Sequence, residues 1–274
     1  MIVIHPCGGL CNRFRAMDSA IELAKMLDRP LHMVWQRLHE FNCRFDHLFE
    51  RPSEFVSIVD RQFKAPHWDA AAKEILPADF DEAFGDIYIS QPQIKEHLAK
   101  DFDFSTLGTK RRIIISSWFR FLGSPMPRYG MFQPVVSLRR RIEALGISGD
   151  EVGVHVRRTD HSASIESSTT AAFEIAMQRE IDEDPAVRFF LATDDGLEEK
   201  RLQKRFGNRV WFVSKSARNR DSREGMCEAV VDLYGLSQCR KILGSVYSTF
   251  SVAAHELAGA PLDVMRRESD DFIQ

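Results

Sequence analysis

Along nearly the whole chain, short unbroken apolar runs alternate with longer stretches in which apolar residues recur every three or four positions. The runs read as buried strands and the spaced stretches as helices packed on them, which predicts an α/β protein with mainly parallel sheets. The pattern is plainest in the second half. Strands are expected over 151–157, 187–192, 209–213 and 241–244, and helices over 170–181, 197–206, about 223–238 and just before Gly259-Ala260-Pro261. Gly207-Asn208 supplies a helix stop, and the whole reads as one doubly wound half. The first half opens with a strand over 2–5, the turn Gly8-Gly9 and a helix over 12–27 whose Phe14, Met17, Ile21, Ala24 and Leu27 keep helical spacing. Further strands are expected at 31–35, 55–59, 87–90 and 112–117. Residues 118–133 hold two glycines and two prolines, and Pro134 begins a helix carrying Leu138, Ile142 and Leu145. The boundary is expected there, giving an N-terminal domain over 1–133, a C-terminal domain over 134–274 and a cleft between them.

The chain has 274 residues, with 37 Lys+Arg against 40 Asp+Glu and a net charge of −3. That balance argues against a nucleic-acid partner and against a polybasic membrane binder. The most apolar long stretch, 245–264, is interrupted by His255, Glu256 and Asp263, so no spanning helix is expected. The strand-like start Met1-Ile2-Val3-Ile4-His5-Pro6 does not resemble a signal peptide, and the odd number of cysteines suits reduced thiols. The expectation is a cytoplasmic protein. Peripheral association with the inner membrane stays open, with Arg120, Phe121, Arg128 and Tyr129 as the candidate contact.

In Val152-Gly153-Val154-His155-Val156-Arg157-Arg158-Thr159-Asp160 an apolar strand ends abruptly in two arginines and an aspartate. Alternation puts the three valines on one face and Gly153, His155 and Arg157 on the other. Ligands of open α/β sheets sit beyond the carboxyl ends of the strands, where a guanidinium offers paired donors to a phosphate. The same residues would also serve as an exposed strand end paired with Asp160. The loop Pro6-Cys7-Gly8-Gly9-Leu10-Cys11-Asn12 would let a pyrophosphate approach the amides of a helix N-terminus, or is a plain turn. It matches neither G-x-G-x-x-G nor the P-loop, which argues against hydride transfer and P-loop ATP hydrolysis. Ser248, Thr249 and Ser251 suit a phosphate or an ordinary cap. Asp194-Asp195 closes a strand and suits a helix cap, and Glu228 and Asp232 would by default lie on a solvated helix face. Asp101/Asp103 and Asp182/Asp184 read as loop charge rather than as a D-x-D metal site, and His5, Cys7 and Cys11 lack the second ligand pair of a zinc site.

Together, His155-Val156-Arg157-Arg158-Thr159-Asp160, Gly8-Gly9-Leu10-Cys11-Asn12, Asp232-Leu233-Tyr234-Gly235-Leu236-Ser237-Gln238 and Ser248-Thr249-Phe250-Ser251 resemble the fucosyltransferase superfamily in residues and order. The likeness is greatest to the α1,6-fucosyltransferase and nodulation-fucosyltransferase branch, and Cys43-Arg44-Phe45-Asp46-His47-Leu48-Phe49 after Trp35 is a further family-like segment. The resemblance implies a GT-B-like pair of Rossmann-type halves, a GDP-sugar donor, inversion at the anomeric carbon and no metal or other cofactor. It implies that Arg157 holds the donor β-phosphate and steadies the charge of departing GDP, as a guanidinium can in place of a metal. It further places Arg158 and Asp194 in the donor site, His155 and Asp232 on the guanine, Ser248 and Thr249 near the phosphates, and Gly8, Gly9 and Asn12 beside the donor. Inversion needs a base for the acceptor hydroxyl. Glu166 is the nearest match, one residue further from the arginine motif than in that branch, and Asp160 is the alternative. His161 and the polar loop 162–170 depart from the family, which leaves a glycan or a lipid-linked acceptor open. A second reading is a catalytically inactive module that binds a GDP-sugar. A dinucleotide oxidoreductase would need a glycine fingerprint that is not there.

Overall fold

The computed structural model describes residues 1–38, 41–64, 72–126, 128–159 and 162–267. Its contacts divide the chain into two compact units, one of Met1–Val135 with Asn219–Met226, the other of Val136–Arg218 with Cys227–Gln274. A single boundary at 133/134 therefore misses a short segment of the second half that packs with the first unit.

The first unit is built on β1 (Ile2–Pro6), α1 (Leu10–Leu27), β2 (Leu31–Arg37), β3 (Phe55–Gln62), the short α2 (Ala72–Ile75), β4 (Asp86–Ile89), α3 (Gln91–Ala99) and β5 (Arg112–Ser117). Its five strands are all parallel in the order β3-β2-β1-β5-β4. One side of the core is aromatic: Phe14 of α1 stacks on Phe132 at 4.7 Å and meets Phe49 and Tyr129, each at 5.3 Å. The loop after β5 is tied to α1. Ser19 Oγ accepts from the amides of Phe121 and Leu122, and Asp18 Oδ1 accepts from Ser124 at 2.6 Å. Phe121 and Tyr129 are buried in that packing, so the basic and aromatic cluster expected at a membrane surface is not an exposed patch. No helix among the described residues is long and apolar enough to cross a membrane.

The second unit holds α4 (Val136–Glu143), β6 (Val152–Val156), α5 (Ser162–Ser167), α6 (Thr170–Glu183), β7 (Phe189–Thr193), α7 (Gly196–Phe206), β8 (Val210–Trp211), α8 (Arg223–Ser237, its first turn counted with the first unit), β9 (Lys241–Ser245), α9 (Thr249–Ala258) and β10 (Leu262–Met265). The strands are again parallel, in the order β10-β9-β6-β7-β8. As the alternation predicts, Val152, Val154 and Val156 enter one apolar cluster with Phe173 and Met177 of α6 and Leu202 of α7. On the other face Gly153 lies against α8, where an added Cβ would stand 2.9 Å from Leu236. Two expectations need correcting. The polar stretch taken as a loop over 162–170 contains α5, and the strand placed over 209–213 is only Val210–Trp211. α3 and β10 are additions. α3 starts with a capping box between Ser90 and Gln93, a local signal that the sparse apolar residues of that segment hide.

Candidate functional site

In the second sheet the connection leaves β6 toward β7 on one side, while β9 returns on the other, so a crevice at the carboxyl ends of β6 and β9 is where this topology puts a ligand. Arg157 follows β6 at that point. Its amide donates to Ser245 Oγ at 3.1 Å, and the Ser245 hydroxyl donates to the carbonyl of His155 at 3.1 Å, which locks the ends of the two strands together. His155 is buried, with Nδ1 2.8 Å from Ser251 Oγ and its ring stacked on Phe250 at 4.8 Å. Gly244 makes this possible, because a Cβ there would come within 2.6 Å of Ser251 and push α9 off the sheet. α9 therefore aims its N-terminal amides into the same crevice. Ser248, at its cap position, is only 4% exposed, yet its hydroxyl neither caps the helix nor bonds to any described residue. Thr249 is the first helical residue.

The turn after β6 is held by Asp194, whose carboxylate accepts from the amides of Arg158 and Thr159 at 2.8 and 3.3 Å and from the Thr159 hydroxyl at 2.7 Å. Burial by itself would raise the Asp194 pKa, but the bonds from Thr159 and Arg158 outweigh it and hold the group below the ordinary carboxylate range. Asp195 takes the cap role, accepting from Leu197 at 2.8 Å. Arg158 turns inward: its guanidinium donates to the carbonyl of Ser168, to Thr170 and to Glu198, at 2.9, 3.1 and 3.3 Å. The two arginines thus differ in place, Arg157 at the crevice and Arg158 as a strut beneath it.

Asp232 is not on a solvated face. It is 5% exposed on α8, with Oδ2 2.8 Å from Lys215 Nζ and with no donor to Oδ1 among the described residues. Desolvation pushes its pKa up to about 6 against the opposing pull of Lys215. Lys215 also donates to the carbonyl of Thr193 at the end of β7, at 3.0 Å, and to Glu199 of α7 at 3.4 Å. Glu199 in turn takes Arg218 at 2.5 Å. Glu228 is buried as well, paired with Arg141 of α4 at 2.6 Å. Sequence reasoning missed Lys215, which sits in a polar run with nothing local to mark it as buried.

In the first unit the loop between β1 and α1 lies at the corresponding place, where β1 stands between β2 and β5. Gly8 has φ +72°, and Gly9 is the cap residue of α1. Asn12 Nδ2 would be 3.2 Å from a Cβ on Gly8, so side chain and turn are already in close contact. The loop is braced from beneath by Arg13, 1% exposed, which donates to the carbonyls of Gly8 and Gln36, each at 2.8 Å, and lies over Phe41 and Trp35 at 3.9 and 4.4 Å. Arg13 was missed too, although its spacing from Leu10 and Met17 puts it on the apolar face of the helix. Glu166 is exposed on α5, and Asp160 lies outside the described residues. Among the described residues, no group of three or more His, Cys, Asp or Glu side chains is arranged to hold a metal ion.

No protein-family model and no curated protein sequence matches the chain. Solved structures match over most of its length. NodZ α-1,6-fucosyltransferase soaked with GDP-fucose superposes with a TM-score of 0.61 at 20% identity, over 94% of this chain and 92% of that one. FUT1 from Arabidopsis thaliana, a variant in complex with GDP, gives 0.61 at 16% identity over 97% and 70% of the two chains. POFUT1 in complex with GDP gives 0.56 at 12% identity over 96% and 98%. Two five-stranded parallel sheets and matches of this breadth establish the architecture: the chain has a GT-B-like fold, the one seen in these fucosyltransferase structures.

Proposed function

We propose that the chain is a metal-independent, inverting glycosyltransferase that moves fucose from GDP-fucose to a hydroxyl of a glycan or lipid-linked acceptor. The observation that carries this reading is what converges at one switch point: Arg157 just beyond β6, the N-terminus of α9, and the Ser248 hydroxyl, which is buried there with no hydrogen-bond partner among the described residues. Such a set suits a diphosphate, and the NodZ structure soaked with GDP-fucose and the FUT1 and POFUT1 complexes with GDP support reading it as that of a GDP-sugar. His155 and Asp232 face the guanine, a carboxylate oxygen without a donor being suited to the N1 and 2-amino hydrogens of that base. In the reaction the acceptor oxygen forms the new bond to the anomeric carbon while the bond from that carbon to the β-phosphate oxygen breaks. GDP leaves with the electron pair, steadied by Arg157, and the acceptor proton passes to a carboxylate, for which Glu166 is the described candidate.

A ligand present at about 100 times its Kd adds about 2.7 kcal/mol of stability. GDP and GDP-fucose should therefore raise the unfolding temperature where UDP and NAD do not, and Arg157→Ala should abolish the rise. Glu166→Gln should keep GDP binding and lose fucose transfer. A folded protein indifferent to GDP compounds refutes the donor assignment. Binding without any consumption of GDP-fucose, with acceptor hydroxyls present, returns the inactive binding module.

A further inference from the structure

The buried charges around Asp232 carry an inference that rests on the guanine assignment above. Four charged groups surround this carboxylate: Lys215 and Arg218 from the segment after β8, Glu199 from α7, and Glu228 one turn away on α8 itself. Lys215 alone among them touches it. Its side chain is 3% exposed and its ammonium has three partners, Asp232 Oδ2 at 2.8 Å, the Thr193 carbonyl at 3.0 Å and Glu199 Oε1 at 3.4 Å. Those partners fill the three donors of an ammonium, so Lys215 has no hydrogen left for a ligand. Oδ2 is thereby occupied and Oδ1 is left buried without a donor.

We propose that Lys215 is a positioning residue for the nucleotide: it holds Oδ2 and keeps the carboxylate charged, so that Oδ1 is presented as an acceptor to the purine edge that carries N1–H and a 2-amino group. The choice of guanine is then made by a lysine that never touches the base. A protonated Asp232 would offer a donor where the base also has one, and burial together with Glu199 and Glu228 already pushes the group up to about 6. Nucleotide affinity should consequently fall as the pH drops through that value, and removing the ammonium should move the fall to higher pH.

The test is calorimetric titration of GDP, and of IDP, which lacks the 2-amino group, into the whole protein from about pH 5 to about pH 8. Lys215→Met should shift the acid limb by about one pH unit or more, which costs about twofold in GDP affinity at neutral pH and close to tenfold at about pH 5, and should narrow the preference for GDP over IDP. Lys215→Met with Glu199→Gln keeps the charge of the cluster balanced and, should the single variant fail to fold, should show a smaller shift in the same direction, because Glu199 pushes Asp232 up less than Lys215 holds it down. Lys215→Arg should restore part of the parent profile. Profiles that superpose in folded variants, or a parent profile flat across the range, overturn the inference while GDP binding leaves the donor reading intact. Absence of GDP binding to the parent overturns both.

Discussion

Replacing Asp194 with alanine removes the clamp that shapes the turn between β6 and the arginines. The carboxylate takes three donors, the amides of Arg158 and Thr159 and the Thr159 hydroxyl. The Arg158 amide lies in a partly buried turn, and leaving such a donor unpaired costs about 1–3 kcal/mol. The Thr159 groups are exposed and turn to water, adding about 0.5 kcal/mol between them. The expected loss is about 2–3 kcal/mol, or about 5–10 °C in the unfolding midpoint. Asp194→Asn keeps an acceptor for the Arg158 amide and should lose about half as much. The pH dependence follows from the sign of the shift. The folded-state pKa is depressed, so the contribution is present above the unfolded value near 4 and disappears as the pH falls through the folded one. Urea unfolding of parent and variant should therefore differ by a constant amount between about pH 5 and about pH 8 and converge in stronger acid. An alanine variant within about 0.5 kcal/mol of the parent at neutral pH, or a gap that widens in acid, would refute the reasoning.

Two further substitutions test the packing that presents the site. Gly235→Ala places a methyl 2.6 Å from Phe190 and 2.9 Å from Leu145, so overpacking should cost about 1–3 kcal/mol in urea unfolding. A neutral result would mean that α8 can back away from the sheet without loss. Arg13→Met strips the carbonyls of Gly8 and Gln36 of their donor and should destabilise by about 2–4 kcal/mol, with faster amide exchange in the loop 6–9. Unchanged exchange there would show that the glycine turn holds its shape without the brace.

Most elements were legible in the sequence because strands buried on both faces and helices with one apolar stripe leave different periods in the chain. β5 has the expected bounds, and α6, α7 and α9 begin or end within a residue or two of their signals. Segments without either period were misread. α5 has a single large apolar residue, Ile165, and β10 has only partly buried or exposed residues. The site divides in the same way. Arg157 could be placed because a buried strand fixes where its next residue emerges.

What tertiary structure alone decided is which charges face inward. Arg157 and Arg158 are identical in sequence terms, yet one stands at the crevice while the other is spent on Glu198, Thr170 and Ser168. Glu228 and Asp232 fit an exposed helix face equally well until Arg141 and Lys215 arrive from α4 and from the segment after β8. Periodicity reports the burial of apolar area, which is a local property of the chain. The partner that makes a buried charge tolerable comes from a distant segment, and only the fold brings it there.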